Sequence, residues 1–166
     1  MNSAVRIIST GGTIDSSPEY DPMKKSVFQG TFLPQMLVQA KLGIEVILEP
    51  LMQKDSADIT DEDRTLLREH ITAAVEDRIV VTHGTDTMSE TARFLGESGV
   101  QHKTVVLVGS FVPLSQPNSD AFFNLGYGIA AVQLLSPGVW VAMNGEVFAW
   151  NNVRKNKQKG RFEQIQ

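Results

Sequence analysis

The sequence contains no cysteine. A disulfide framework, a thiolate nucleophile and a cysteine-ligated metal are thereby excluded. Histidine is scarce too. The three present, His70, His83 and His102, lack the spacing that gathers imidazoles on a metal, so neither a metal nor another cofactor is expected. Long apolar runs are missing, which argues against a membrane-spanning helix. The amino terminus lacks a charged segment leading into an apolar one, so no secretory leader is expected and the cytoplasm is the default location. Charge of one sign is not in excess: the formal net charge is −4. That gives no general drive toward nucleic acid or an anionic membrane, and neither is expected as a partner. The local exception is the basic stretch from Arg154 to Arg161, which by composition alone reads as a solvated tail.

What remains is an ordinary globular composition. Apolar residues make up 42% and charged residues 20% of 166 positions, enough for one domain with a substantial core. Apolar runs rich in β-branched residues occupy 4–9, 44–48, 78–82, 104–108 and 138–143. Helical spacing marks 32–41, 60–76, a segment starting near Thr87, and about 118–135. Thr60 precedes an acidic first turn, and Thr87 with Glu90 has the spacing of a capping box. The last helix carries Ala121, Gly126, Gly128 and Ala130, small residues that permit close packing. Alternating strands and helices predict an α/β fold: three layers, α/β/α, on a mainly parallel flavodoxin- or Rossmann-like sheet. The polar segment 15–30 reads as a long loop of the kind that covers sites.

Two turns stand out. Thr10-Gly11-Gly12-Thr13-Ile14-Asp15 follows the first strand, and Thr82-His83-Gly84-Thr85-Asp86-Thr87-Met88 follows the third. Either alone is a plain strand-to-helix turn. Together they present two threonine hydroxyls at two strand ends, with a carboxylate beside the second. Ligands bind at the carboxyl ends of parallel strands, where strand order reverses. In the order 2-1-3-4-5 the first and third strands are neighbours, which would bring Thr13 and Thr85 together. The turn after the second strand, Lys54-Asp55-Ser56-Ala57-Asp58, reaches the same edge. A threonine hydroxyl becomes a nucleophile only when a base takes its proton. Asp86 with a lysine could poise that transfer, and the free N–H groups of the next helix favour a carboxylate or oxyanion. Such a set suits attack on an amide or ester carbonyl. His83 reads as a structural hydrogen-bonding residue of its turn, and Trp140 and Trp150 as core or interface residues.

These motifs, with Asp120…Asn124-Leu125 and Ala142-Met143-Asn144, resemble the amino-terminal domain of the bacterial-type L-asparaginase family along nearly the whole chain. The resemblance implies an amidohydrolase acting on a small side-chain amide. It implies Thr13 as nucleophile, Thr85 as second catalytic threonine and Asp86 as its acidic partner. Lys155 would be the catalytic lysine, in the segment Asn151-Asn152-Val153-Arg154-Lys155, with Lys157 and Lys159 less well placed. Ser56 would hold the substrate carboxylate, and Gly12, Asp55, Gly84, Thr85 and Asp86 would line the substrate. Tyr20 is the candidate lid tyrosine, with Phe28 as the other position. Ala57 and Val112 stand where some members carry glutamine and arginine. The family's carboxy-terminal domain is expected to be absent, and a two-fold homodimer is expected to cover the site. Two other functions fit the same motifs: a binding module with little turnover, and the amidase part of a larger assembly.

Overall fold

The computed structural model describes residues 4–16, 28, 30–100 and 102–165. In chain order the elements are β1 (Val5–Gly11), α1 (Leu33–Ala40), β2 (Val46–Lys54), α2 (Asp61–Ala73), β3 (Arg78–Thr82) and α3 (Met88–Glu97). They continue with β4 (Thr104–Val108), α4 (Ala121–Leu134), β5 (Gly138–Met143), β6 (Glu146–Ala149), β7 (Arg154–Asn156) and β8 (Arg161–Glu163). Six strands form one sheet in the order β2-β1-β3-β4-β5-β6. All neighbours are parallel except the β5–β6 pair.

Successive strand residues point to opposite faces, and that alternation builds two cores. Ile7, Val80 and Val106 pack with Leu33 and Met36 of α1 and Leu125, Ile129 and Val132 of α4. Ile8, Ile79, Val81, Val105 and Leu107 pack with Leu67 and Ile71 of α2 and Ala92 and Leu95 of α3. The central strands are therefore apolar on both faces, which is why they read as continuous runs. The result is the expected three-layer α/β/α architecture.

Four local features depart from the sequence expectation. β2 continues past 48 to Lys54, because it is the edge strand and Pro50, opposite Ser9, needs no outer donor there. Asn144 and Gly145, both at positive φ (57° and 80°), turn β5 back into β6; Asn-Gly is the pair that such tight hairpins favour. The basic stretch folds as the β7–β8 hairpin, with Lys155 opposite Phe162. On α4 the small residues divide: Ala121 and Gly128 are buried, whereas Gly126 and Ala130 face outward.

Gly96 of α3 lies against Trp150, and a Cβ there would overlap ring atoms of the indole. Gly96→Ala should therefore destabilise the protein by about 1–3 kcal/mol through overpacking, despite alanine's better helix propensity. Thermal unfolding followed by circular dichroism checks this; an unchanged or raised Tm means the indole moves aside at no cost.

Candidate active site

β1 and β3 are neighbours, so their turns meet above the sheet. Gly12 has φ 78°, the left-handed region that glycine occupies without strain. A side chain there would collide with the backbone of Gly84. At Gly84 a Cβ would come within 2.5 Å of Ser56 Cβ. The Gly12 N–H donates to Lys54 O at 2.9 Å. Three turns, from β1, β2 and β3, are thus in mutual contact, and glycine makes both close approaches possible. Thr10 Oγ1 adds a tie by donating to Thr82 O at 2.8 Å.

Thr13 follows this contact on one side and Thr85 on the other. Thr13 is half-buried, and its hydroxyl has no hydrogen-bond partner among the described residues. Thr85 is buried at 6% exposure. Lys155 reaches it from the β7–β8 hairpin: Nζ donates to Thr85 Oγ1 at 2.7 Å and to Asp86 Oδ1 at 2.6 Å. The expected ion pair between Lys155 and Asp86 is present. Ser56 is buried, and its Oγ accepts from the Asp86 N–H at 3.2 Å, leaving its own proton free to donate. Asp55 accepts from the Ala57 N–H at 3.2 Å and caps the short turn that carries Ser56. Lys159 pairs with Glu163 at 3.4 Å, and Lys157 is exposed on the hairpin. Tyr20 lies outside the described residues.

The expected capping box at Thr87 does not form. Thr87 Oγ1 instead donates to Ser56 O at 2.7 Å, so its side chain joins the β2 and β3 turns rather than closing its own helix end. At Thr60 the box is present, with Asp63 as its reciprocal partner.

His83 is fully buried. Its Nδ1 lies 2.8 Å from Gly84 O, and since a carbonyl can only accept, Nδ1 carries the proton. Nε2 then accepts from Thr91 Oγ1 at 2.9 Å, and Thr91 Oγ1 in turn accepts from Arg64 Nε at 3.1 Å. A single neutral tautomer satisfies the whole chain, as expected of a structural residue. Burial, with help from the Arg64 charge, pushes His83 down to about 4. As pH falls from about 6.5 toward about 4, the unfolded chain takes up a proton that folded His83 refuses. Stability is lost across that window, by on the order of 3 kcal/mol. Asp15 opposes this at the acid end. Burial raises its pKa against hydrogen bonds from Phe32, Thr31 and Ser9, so the folded state protonates there first and gains stability as pH drops. Denaturant titrations at stepped pH check the balance: His83→Gln should flatten the loss between pH 6.5 and 4, and an unchanged slope would assign it to other groups.

Asp120 and Asn124, which carry part of the resemblance, have no role assigned by the sequence. Asp120 accepts from the N–H groups of Phe111 and Val112, both at 3.0 Å through Oδ1, and so fixes the loop after β4. Asn124, one turn further along α4, donates to Gly109 O at 3.0 Å and to Asp120 at 2.9 Å. The i, i+4 spacing of Asp120 and Asn124 was the available signal. Ser110, fully buried in the same loop, has a hydroxyl with no partner among the described residues; nothing in the sequence marks it. A cavity of about 260 Å³ borders Lys155 and the hairpin. A larger one, about 440 Å³, lies between α3 and the carboxyl end and is lined by Ser89, Arg93 and Val153. It holds neither threonine of the paired turns, and chemistry at open strand ends needs no deep cavity. Among the described residues no three His, Asp or Glu side chains gather as a metal site.

Two hydroxyls, an ammonium and a carboxylate at adjoining strand ends can exchange protons and hold an acyl group. The chain as a whole is similar to known proteins. The family model described as "Asparaginase, N-terminal" matches residues 4–163. A "Probable L-asparaginase periplasmic" of Haemophilus influenzae is 33% identical over 91% of this chain and 46% of that protein. L-asparaginase I of Vibrio cholerae superposes with TM-score 0.84 at 26% identity, over 99% of this chain and 52% of the other. A "Probable Cytoplasmic L-asparaginase" of Campylobacter jejuni gives TM-score 0.83 at 28% identity, over 98% and 53%. The chain spans about half the length of the relatives it matches. With the family match running from the residue before β1 to the last residue of β8, across all three turns and the lysine hairpin, this chain belongs to the asparaginase family and is built on its amino-terminal domain.

Proposed function

We propose that the protein hydrolyses the side-chain amide of an L-asparagine-like substrate, with Thr13 as nucleophile. One observation carries the reading: Lys155 Nζ bridges Thr85 Oγ1 and Asp86 Oδ1 in the turn that touches Gly12. Thr13 Oγ forms a bond to the amide carbon as its proton passes into the Thr85–Lys155–Asp86 set. The C–N bond then breaks, and the nitrogen takes a proton from that set and leaves as ammonia. Water attacks the resulting ester, its proton entering the same set, and the acid departs as the Thr13 hydroxyl is restored. Backbone N–H groups of the two turns hold the oxyanion. The substrate carboxylate meets the Ser56 hydroxyl, and Gly12, Asp55, Gly84, Thr85 and Asp86 line the rest of the substrate. No metal or organic cofactor enters these steps.

The reading is tested by ammonia release from purified protein given asparagine, glutamine and other small amides. Turnover of asparagine is expected. Saturable binding with no ammonia from any amide would reverse the proposal in favour of a binding module. A cytoplasmic two-fold homodimer belongs to the same reading, since symmetric dimers are the commonest closed assembly. Phe122 and Phe123 of α4, at 45% and 60% exposure, are available to an interface. Sedimentation at micromolar concentration decides: a stable monomer with full activity removes the dimer.

A further inference from the structure

Phe111 belongs to neither threonine turn, yet Lys155 Nζ lies over its ring, 5.1 Å from the centroid. Both partners are held independently. The loop of Phe111 is pinned by Asp120, as described. The Phe162 ring sits 6.3 Å away at 58°. Phe162 is fully buried, pairs with Lys155 across the hairpin, and donates its N–H to Asn144 Oδ1 at 2.9 Å.

An ammonium has three N–H donors. Two of those of Lys155 go to Thr85 and Asp86, and the third has no acceptor among the described residues. Asp86 is a loose tether on its own: its side chain is 51% exposed, against 17% for Lys155, and exposed pairs hold geometry weakly. An aromatic face attracts a cation without demanding one hydrogen-bond direction. It can therefore hold the ammonium in place while leaving the donation to Thr85 undisturbed.

We infer that Phe111 is a positioning residue for Lys155, its ring face serving as the third partner of the ammonium beside the Thr85 hydroxyl and the Asp86 carboxylate. This rests on the proposed proton-carrying role of Lys155. It does not depend on which amide is the substrate.

The test uses the full chain with Phe111 replaced by mono-, di- and trifluorophenylalanine. These rings are nearly equal in size, and their faces become progressively less attractive to a cation. The expected result is a stepwise fall in kcat for amide hydrolysis, about tenfold across the series, with little change in KM. Phe111→Leu should fall at least as far, and Phe111→Trp should keep most of the activity. A flat series overturns the inference even if Phe111→Leu is impaired, because packing alone would then explain the loss. A second readout does not need turnover: the Lys155 Cε–Hε signal in isotope-labelled protein should be shielded by the ring and should shift in Phe111→Leu. An unmoved signal overturns the contact. Wild-type protein without any amide turnover would count against the proposed function alone, and the Lys155 signal would still decide on Phe111.

Discussion

Thr13→Ala is expected to keep its fold and to lose about a thousandfold or more of its amide turnover. The fold survives because the half-buried Thr13 side chain makes no hydrogen bond among the described residues, so little native interaction is removed. Turnover is lost because alanine leaves no oxygen at the position from which the acyl bond forms. Thr85→Val should be about as damaging for a different reason. Valine matches the shape of threonine at this buried site but gives Lys155 Nζ no acceptor, where it now finds Thr85 Oγ1 at 2.7 Å. Residues that act as a unit lose activity non-additively, so the double variant should be little worse than the poorer single one. Ammonia release at saturating amide, with circular dichroism as a fold control, reads all three. A folded Thr13→Ala protein with near-normal kcat would remove Thr13 as the nucleophile.

Lys155→Met should lower kcat by about a hundredfold to ten-thousandfold, the range of a lost proton-transfer group, and change KM far less. Methionine keeps the unbranched stem and can still pack against the Phe111 ring, so the hairpin should stay in place. Asp86 loses its partner, but at 51% exposure it remains hydrated, and the stability cost should be small. Lys155→Arg should not rescue turnover: a guanidinium carries a similar charge but cannot give up its proton, and its planar fork does not fit a hydroxyl and a carboxylate as the compact ammonium does. If Lys155→Met instead raised KM and left kcat intact, the lysine would contribute uniform binding rather than proton transfer.

Much of this arrangement was legible before any coordinates. The apolar runs of the four central parallel strands, β1, β3, β4 and β5, are buried on both faces and easily recognised, and the alternation with helices predicts a parallel sheet, whereas the 2-1-3 order had to be assumed from the common topology. Once β1 and β3 are neighbours, the glycine-threonine turns must share an edge, and Ser56 joins them from β2. The rest was hidden for physical reasons. β7 and β8 are three residues each, built from arginine, lysine, asparagine and glutamate around one buried Phe162. Two strands that short carry no readable period, and their pairing depends on Phe162 finding the core. Thr87 had the spacing of a cap, whose hydroxyl would accept from its own helix, but it donates instead to Ser56 O, a contact between segments 31 residues apart. Nothing in the sequence marks Phe111, because its significance lies in a lysine 44 positions later in the sequence.

The β7–β8 hairpin also bears on how the protein fails. Two-stranded ribbons are marginal by themselves. This one forms a sheet separate from the six-stranded one, held by the burial of Phe162 and by hydrogen bonds such as that from the Phe162 N–H to Asn144 Oδ1. Its release would withdraw Phe162 from the core beneath α2 and α3 but leave the strand and helix residues of both cores packed, so it can open without global unfolding. Amide exchange should therefore be fast at Lys155 and Asn156 and slow in β3 and β4. On warming or in mild denaturant, catalysis should fade while the bulk helical signal is intact, so that working lifetime is governed by the smallest cooperative unit rather than by overall stability.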